Sequence, residues 1–388
     1  MRNSLATLIG AAVAAIALLS GCSSSAPQGS ASALPFARSG PVADTAAEYA
    51  YEANEGATNV SAFKIESSGA LTPVKGSPFA ADSSPSGVAI DPTGKFAYAS
   101  NAGSPDVSGY AIDAATGALK QIKGSPFAGG TSSSGIAVTA KFAFVSNVGV
   151  SSSSNVSGYT IAGGGALAQV KGSPFAAGTS AQYVATDPPG KFVYVPNAGS
   201  NNVSAYKIAS SGALTPVKGS PFAAGTEAFG AAVDPSGKFA FVSDYGSNGV
   251  SAYAVNSSSG ALTPVKGSPF AAGSGPCSVI PDPNGKFVYV PNLTSGDVSA
   301  YAIKSSGALT PVKGSPFTAG SGACYGAVDP ASKFLYVGNS SANTISGYQI
   351  ESSGALKPLK GSPFPAGATA AVIATCRVTS GKCLPPAL

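Results

Sequence analysis

Short apolar segments alternate with turn-forming residues along most of this chain, and one stretch shows the pattern clearly. Gly87–Asp91 is an apolar run typical of a buried strand, and a Pro- and Gly-containing turn at 92–94 follows it. Lys95–Asn101 is rich in aromatic residues, Val107–Asp113 alternates in polarity, and Ala118–Phe127 follows a glycine turn. The pattern predicts four antiparallel β-strands joined by short turns.

The same unit recurs along the chain, and each copy ends in the pentapeptide KGSPF. Seven copies begin 47 or 48 residues apart, at Lys75, Lys123, Lys171, Lys218, Lys266, Lys313 and Lys360. A period of this length, with four short strands in each unit, is that of one β-propeller blade. The sequence therefore predicts an all-β fold, a seven-bladed β-propeller of four-stranded antiparallel blades.

The first and last units are incomplete in complementary ways. Glu48–Asn54 aligns with the second strand of the other units, so the first unit lacks an inner strand. A lone apolar run, Ala370–Ala374, follows the last KGSPF in the register of an inner strand. We expect it to complete the first blade and close the ring. The alternative, an open β-solenoid, would leave both end strands unpaired.

The N-terminus is typical of a bacterial lipoprotein precursor. Arg2 precedes an apolar stretch, Leu5–Leu19, and the segment LSGC ends at Cys22, the residue expected to carry the lipid. The alternative is an ordinary secretory signal. We predict a signal peptide at 1–21, a flexible lipid-anchored tether at 22–46, a propeller at 47–377 and a C-terminal tail at 378–388. The expected location is the bacterial cell envelope, in the periplasm or on the outer surface, with a membrane contact through the lipid on Cys22.

Composition narrows the choice of partners. Only 10% of residues are charged, histidine and tryptophan are absent, and the formal charge of +5 is spread along the chain. Because no run of lysines or arginines could follow a phosphate backbone, we expect no nucleic-acid partner. A monomer is expected.

Four cysteines remain besides Cys22, and they allow three pairings. Cys277 and Cys324 occupy equivalent positions in consecutive units, which favours a bond between adjacent blades. Cys376 and Cys383 would then close a small C-terminal loop. Disulfides suit an oxidising compartment.

Candidate binding residues are those where the loops depart from the repeat. In an up-and-down blade, the loop entering the inner strand and the loop after the second strand lie on one face. The departures on this face are Gln182, Tyr183, Glu227, Phe229, Asp244, Tyr245 and Tyr325. The aromatic rings could stack on a sugar, or they could belong to the core.

Glu227 and Asp244 fall in the same unit and on the same face. They could activate water as a general base or bind a hard cation such as calcium, although the sequence predicts no cofactor. Alternatively, Asp244 replaces the turn-capping asparagine of the other units and Glu227 is solvated.

A second anomaly involves Glu52 and Glu55 in the first unit. Glu52 aligns with apolar residues of the other units, Ala99, Val145, Val195, Val242, Val290 and Val337. A carboxylate at such a buried position must be paired, be neutral or face a wet channel. The alternative is an imperfect terminal repeat.

Several segments resemble a known family. Asp91–Asn101 and Val107–Leu119 resemble the 6-phosphogluconolactonase-like members of the seven-bladed propeller lactonases. YVPN at Tyr194–Asn197 and Tyr289–Asn292, and YVGN at Tyr336–Asn339, resemble the related YVTN-repeat propellers.

The resemblance implies a propeller and, for catalytic relatives, hydrolysis of sugar lactones by histidine and arginine together with a carboxylate. This chain has no histidine, and its arginines, Arg2, Arg38 and Arg377, lie outside the regular blades. No catalytic residue can be carried over.

Two functional hypotheses follow. The first is a binding or scaffold module for a glycan, an envelope component or a protein. The second is a hydrolase that opens a sugar or other lactone, with Glu227 or Asp244 as the base. A phosphorylated substrate is disfavoured because the sequence shows no basic pocket.

Overall fold

A computed structural model describes residues 46–149 and 154–386 of the chain. These residues form seven antiparallel β-sheets, each of which is one blade of a closed ring. The predicted all-β seven-bladed propeller is confirmed. The predicted signal peptide, Cys22 and most of the tether lie outside the described residues. Within the described ranges, no helix is long and apolar enough to cross a membrane.

The strands nearest the channel are the inner strand and the second strand of each blade. From blade 2 to blade 7, the inner strands are Pro85–Ile90, Ser133–Val138, Ala185–Thr186, Ala228–Val233, Ile280–Pro281 and Ala323–Val328. From blade 1 to blade 7, the second strands are Glu48–Asn54, Phe96–Asn101, Phe142–Asn147, Phe192–Asn197, Phe239–Asp244, Phe287–Asn292 and Phe334–Asn339.

The third strand of each blade carries two short strands on its outer edge. The third strands are Asn59–Ile65, Asp106–Ile112, Asn155–Ile161, Asn202–Ile208, Gly249–Val255, Asp297–Ile303 and Thr344–Ile350. The outer strands are Leu71–Pro73, Leu119–Gln121, Leu167–Gln169, Leu214–Pro216, Leu262–Pro264, Leu309–Pro311 and Leu356–Pro358. The last short strands are Phe79–Ala80, Phe127–Ala128, Phe175–Ala176, Phe222–Ala223, Phe270–Ala271, Phe317–Thr318 and Phe364–Pro365.

The outer strand predicted over Ala118–Phe127 is therefore two strands with a turn between them. The turn contains Gly124 at a φ of 90° and a cis peptide bond before Pro126. The hydroxyl of Ser125 accepts the backbone N–H of Gly109 at 2.8 Å, so a side chain replaces the carbonyl that an unbroken strand would offer. The KGSPF serines of the other six blades accept the corresponding N–H.

The C-terminal strand closes the ring as predicted and continues beyond the predicted run. Ala370–Thr379 pairs with Glu48–Asn54, with Tyr51 opposite Ala374. Lys382–Leu384 then folds back against it, so part of the segment expected to be a tail belongs to blade 1. The backbone N–H of Cys383 donates to the carbonyl of Gly94 at 3.0 Å, and this bond fixes the extra strand on blade 2.

Apolar side chains fill the seams between neighbouring blades. Phe241 and Val250 of blade 5, for example, pack with Val279 and Val288 of blade 6. Each blade buries both faces of its sheet in this way, which explains the nearly continuous apolar character of the inner and second strands.

Tyrosine hydroxyls add polar ties across the seams. In five blades, a second-strand tyrosine donates to a turn glycine carbonyl of the next blade; the donors are Tyr51, Tyr98, Tyr194, Tyr289 and Tyr336. In five blades, a third-strand tyrosine donates to the preceding blade; the donors are Tyr110, Tyr206, Tyr253, Tyr301 and Tyr348. The bond from Tyr336 to Gly69, at 2.8 Å, joins blade 7 to blade 1.

Both expected disulfides are present. Cys277 and Cys324 join blades 6 and 7 with a Cα–Cα distance of 5.0 Å, and Cys376 and Cys383 join the C-terminal strands with a Cα–Cα distance of 5.2 Å.

We expect removal of the Cys277–Cys324 bond to destabilise the protein more than removal of the Cys376–Cys383 bond. The bonded cysteines are 47 residues apart in the first pair and 7 in the second, so the first bond restricts the unfolded chain more. Double Cys→Ala variants should lose about 4 and about 2 kcal/mol of unfolding free energy, respectively. Chemical denaturation under non-reducing conditions measures both losses, and an equal or reversed order would contradict this explanation.

Candidate functional site

The loops that enter the inner strands and the loops that join the second and third strands surround one end of the channel. We call this end the loop mouth; it is bordered by loops such as 55–58 and 81–84 and their equivalents in the other blades. The turns between the inner and second strands lie at the opposite end.

Four aromatic side chains lie in a continuous row at the loop mouth. The ring centroids of Tyr325 and Tyr183 are 4.7 Å apart, those of Tyr183 and Phe229 are 5.6 Å apart, and those of Phe229 and Tyr245 are 5.9 Å apart. Neighbouring rings are tilted by 37° to 48°. All four side chains of this aromatic row are half-buried. The sequence singled out all four residues, and the fold brings them together from blades 4, 5 and 7.

The local backbone of blade 4 carries Tyr183 toward the axis. The inner strand of this blade is only Ala185–Thr186, and Tyr183 precedes it. The N–H of Tyr183 donates to the carbonyl of Phe229 at 3.2 Å. Its ring covers Gly135, where a side-chain Cβ would lie 2.6 Å from the ring, so the glycine of blade 3 makes room for the tyrosine.

The tyrosine hydroxyls remain protonated donors at this site. Tyr183 donates to the carbonyl of Ser86 at 3.3 Å. Burial raises the pKa of Tyr183, and the charge of Glu55 raises it further. The pKa of Tyr325 is raised well above its ordinary value by burial, then by Tyr183 and by Glu55. The Glu55 carboxylate therefore lies within electrostatic reach of both phenols.

Glu55 follows the second strand of blade 1 and borders the mouth. Its N–H donates to the carbonyl of Thr369 at 3.2 Å, and the residue is exposed. Partial burial of its carboxyl raises the pKa of that group. Gln182, next to Tyr183, accepts a hydrogen bond from the hydroxyl of Ser134 at 3.2 Å.

Asp244 is fully buried and held by the loop. Its carboxylate accepts the N–H of Gly225 at 2.9 Å and the hydroxyl of Ser251 at 2.8 Å. Burial raises the pKa of Asp244 to about 6. In the other blades an asparagine at this position donates to the side chain of the first residue of the third strand, but here that residue is Gly249. These are the contacts expected of a residue that replaces the turn-capping asparagine.

Glu227 lies on the same mouth, but its side chain does not share the partners of Asp244. Its N–H donates to the side-chain oxygen of Asn201 at 2.8 Å, and its side chain is exposed. The carboxylate occupies the space beside Gly246, where a Cβ would lie 2.9 Å from it. Glu227 and Asp244 thus have adjacent backbones and different side-chain partners. Within the described ranges, no three cysteine or carboxylate side chains are grouped so as to hold a metal ion.

Glu52 has no exposed surface, as the alignment with apolar residues predicted. One carboxyl oxygen accepts the N–H of Gly367 at 3.3 Å, and the other has no hydrogen-bond partner among the described residues. Burial raises the pKa of Glu52 to about 8, so its side chain is protonated and neutral at pH 7. Of the alternatives, the neutral form agrees with this environment.

All the charged side chains in the described loops of the mouth are acidic. These loops contain Glu55, Asp82 and Glu227 but no lysine or arginine. Arg377 lies at the opposite end of the ring, where its Nε is 3.7 Å from a carboxyl oxygen of Glu48. Burial and then the nearby Asp329 raise the pKa of Glu48 to about 7.

A cavity of about 280 Å³ occupies the channel between the inner strands. Small aliphatic side chains such as Val88, Ala137 and Val233 line it, and Pro385 and Pro386 contribute to its wall. These two prolines could not be predicted from the sequence, because their place depends on the unpredicted C-terminal strand.

A family model described as lactonase, seven-bladed β-propeller, matches residues 42–131 and 136–363. The chain therefore belongs to the seven-bladed β-propeller lactonase family. A search of curated proteins finds no match.

Solved structures share the fold at low sequence identity. A candidate 6-phosphogluconolactonase from Bacteroides fragilis is 18% identical, with a TM-score of 0.72 over 87% of this chain and 99% of that chain. The periplasmic gluconolactonase of Pseudomonas aeruginosa is 17% identical, with a TM-score of 0.71 over 85% of this chain and 99% of that chain. Hydrazine synthase from Kuenenia stuttgartiensis is 17% identical, with a TM-score of 0.57 over 77% of this chain and 94% of that chain. Proteins with such different names share the architecture, so the likeness concerns the fold alone.

Proposed function

We propose that this protein is an exported propeller that binds a carbohydrate at the loop mouth. The observation that carries the proposal is the aromatic row, whose half-buried rings offer flat apolar surface beside polar groups. Sugar rings present C–H faces that stack on such surfaces, while their hydroxyls need donors and acceptors. Gln182, Glu55 and the phenols of Tyr183 and Tyr325 supply these at the same mouth.

The negative charge of the loop mouth limits which carbohydrates can bind there. Phosphate groups are bound by arginine, lysine or backbone N–H groups, and the described mouth loops hold carboxylates without a cation. A phosphorylated sugar would therefore be repelled. The ligand class is an unphosphorylated carbohydrate.

Hydrolysis of an unphosphorylated sugar lactone is the second candidate function, and family membership favours it. Glu55 would take a proton from the water that attacks the carbonyl carbon and return it to the ring oxygen as the bond between that oxygen and the carbonyl carbon breaks, which gives the hydroxy acid. The neutral phenols of Tyr183 and Tyr325 would stabilise the charge that develops on the carbonyl oxygen. Glu227 remains an alternative base, whereas the two hydrogen bonds of Asp244 tie it to the loop.

Two features support an extracytoplasmic location. The disulfides require an oxidising compartment, and the N-terminal sequence has the order of a lipoprotein signal. In this proposal, lipid on Cys22 tethers a monomeric propeller to the membrane.

The two candidate functions, binding and hydrolysis, can be distinguished with one panel of ligands. Neutral oligosaccharides, gluconolactone and its 6-phosphate are titrated calorimetrically, and ring opening is followed by proton release. We expect Tyr325→Leu and Tyr245→Leu each to weaken carbohydrate binding about tenfold, the loss of one stacked ring. Phe270→Leu, a half-buried phenylalanine on the outer rim, is the matched control and should change nothing.

If Glu55→Gln abolishes turnover while binding persists, the protein is a lactonase. Binding without turnover establishes a binding module. Failure of every carbohydrate to bind, or binding that survives both tyrosine substitutions, would overturn the proposed site.

A further inference from the structure

The aromatic row has a carboxylate at each end. At one end, Glu55 occupies in blade 1 the position that Tyr245, a member of the row, occupies in blade 5, and its charge acts on Tyr183 and Tyr325. At the other end, Tyr245 donates its N–H to the carbonyl of Glu227 at 3.0 Å, and the Glu227 carboxylate lies beside the next residue, Gly246.

The fold does not require a carboxylate at either position. Glu227 has a φ of 55°, and serine or threonine takes the same left-handed conformation at the equivalent position of four other blades, Ser84, Ser132, Ser180 and Thr369. The position of Glu55 is occupied in the other blades by uncharged residues, Ala102, Val148, Ala198, Tyr245, Leu293 and Ser340. Turn formation therefore explains neither glutamate.

No cationic side chain in the described mouth loops compensates these charges. The ion pairs found among the described residues join Lys64 to Glu66 and Arg377 to Glu48, both away from the mouth. Uncompensated carboxylates at a concave mouth give a negative potential that attracts cations. A bare divalent ion does not suit the arrangement, because the two carboxylates stand at opposite ends of a row of rings rather than around one point.

A ligand with flat apolar faces and positive charges fits both features. Ammonium groups can pair with the carboxylates, and those above a ring gain a cation–π interaction. We infer that the carbohydrate bound at the loop mouth is an oligosaccharide with free amino groups, of the glucosamine class. This inference rests on the proposed function, because it names the charge of the sugar that the aromatic row would bind.

The test compares two oligosaccharides that differ only in charge. Glucosamine tetramer and N-acetylglucosamine tetramer have the same backbone, and calorimetric titration of the full chain gives both affinities at pH 6. We expect the free amine to bind at least about tenfold more tightly, since one charge-assisted contact is worth about that factor. Added salt should weaken only the binding of the amine.

Variants of single glutamates test whether the carboxylates of Glu55 and Glu227 bind the ammonium groups of the ligand. Glu55→Gln and Glu227→Gln should each reduce affinity for the glucosamine tetramer about tenfold and leave the acetylated tetramer unchanged. Glu351→Gln removes an exposed carboxylate outside the mouth and should change neither affinity.

Equal affinities for the two tetramers would overturn the amino-sugar inference and leave carbohydrate binding intact. An affinity for the amine that is unchanged in Tyr325→Leu would show attraction elsewhere on the surface and would also overturn it. If neither tetramer binds while a neutral sugar of the panel does, the inference fails alone. If no carbohydrate binds, the proposed function fails as well.

Discussion

The Glu52→Val variant is expected to be more stable than the natural chain at neutral pH. Glu52 has no exposed surface, and one of its carboxyl oxygens lacks a partner. Valine occupies the equivalent position in five of the other blades, so the seam already accommodates that shape. The gain at pH 7 should be on the order of 3 kcal/mol, the cost of keeping protonated a carboxyl that ionises near pH 4.5 in the unfolded chain.

The raised pKa of Glu52 makes the free energy of unfolding depend on pH. Since burial raises the pKa of Glu52 to about 8, the folded protein binds more protons than the unfolded chain between pH 4.5 and 8. The natural chain therefore loses stability as pH rises through this window. Glu48, with its pKa raised to about 7, acts in the same direction, so the comparison must be between variants.

Denaturant unfolding at pH 5 and pH 8 measures the effect. The advantage of Glu52→Val should be small at pH 5 and large at pH 8, and Glu52→Gln should share the trend. Glu351→Gln, an exposed carboxylate, is the control and should follow the natural chain. Parallel pH dependence in Glu52→Val and the natural chain would show that Glu52 ionises without penalty.

Removal of residues 370–388 is expected to abolish the closed ring. The deleted strand pairs with Glu48–Asn54 on one side, and the hydroxyl of its Thr375 donates to the carbonyl of Val328 in blade 7 at 2.7 Å. Without it, the second strand of blade 1 becomes an unpaired edge and Tyr49 and Tyr51 lose part of their packing.

Size-exclusion chromatography and thermal unfolding give the readout. The truncated chain should aggregate or unfold without a cooperative transition. A chain ending at Leu384 keeps both C-terminal strands and loses only the prolines at the cavity, so it should remain monomeric and cooperative. A monomeric, cooperatively folding product of the longer deletion would contradict this account of ring closure.

Most of the fold could be predicted because its determinants are local. Turn residues and alternating polarity mark each strand, and the second strand Glu48–Asn54 was predicted to the residue. The broken outer strand could not be predicted, because the serine of KGSPF replaces a backbone acceptor only in three dimensions. The strand Lys382–Leu384 pairs with Arg377–Thr379, and its place in the ring is held by a contact with Gly94, almost 290 residues away in sequence.

The sequence indicates which residues belong to the candidate site, but not what most of them do there. Tyr183, Phe229 and Tyr325 were singled out because they interrupt loops of small residues, and the closed ring brings such positions together. The roles of Asp244 and Glu227 needed side-chain directions, which depend on Gly249 and Gly246. Glu52 was expected to be buried, but its neutrality depends on the packing of the seam around it.

The tyrosine ties also give the ring an uneven stiffness. Blades 4 and 5 are joined by two hydroxyl bonds, from Tyr194 and Tyr253, whereas Phe144 and Phe241 remove one bond from the seams on either side. These two blades should therefore move as one body. Three rings of the aromatic row, those of Tyr183, Phe229 and Tyr245, should then hold their spacing more firmly than their distance to Tyr325, so a wider ligand would change that one distance and leave the rest of the stacking surface in place.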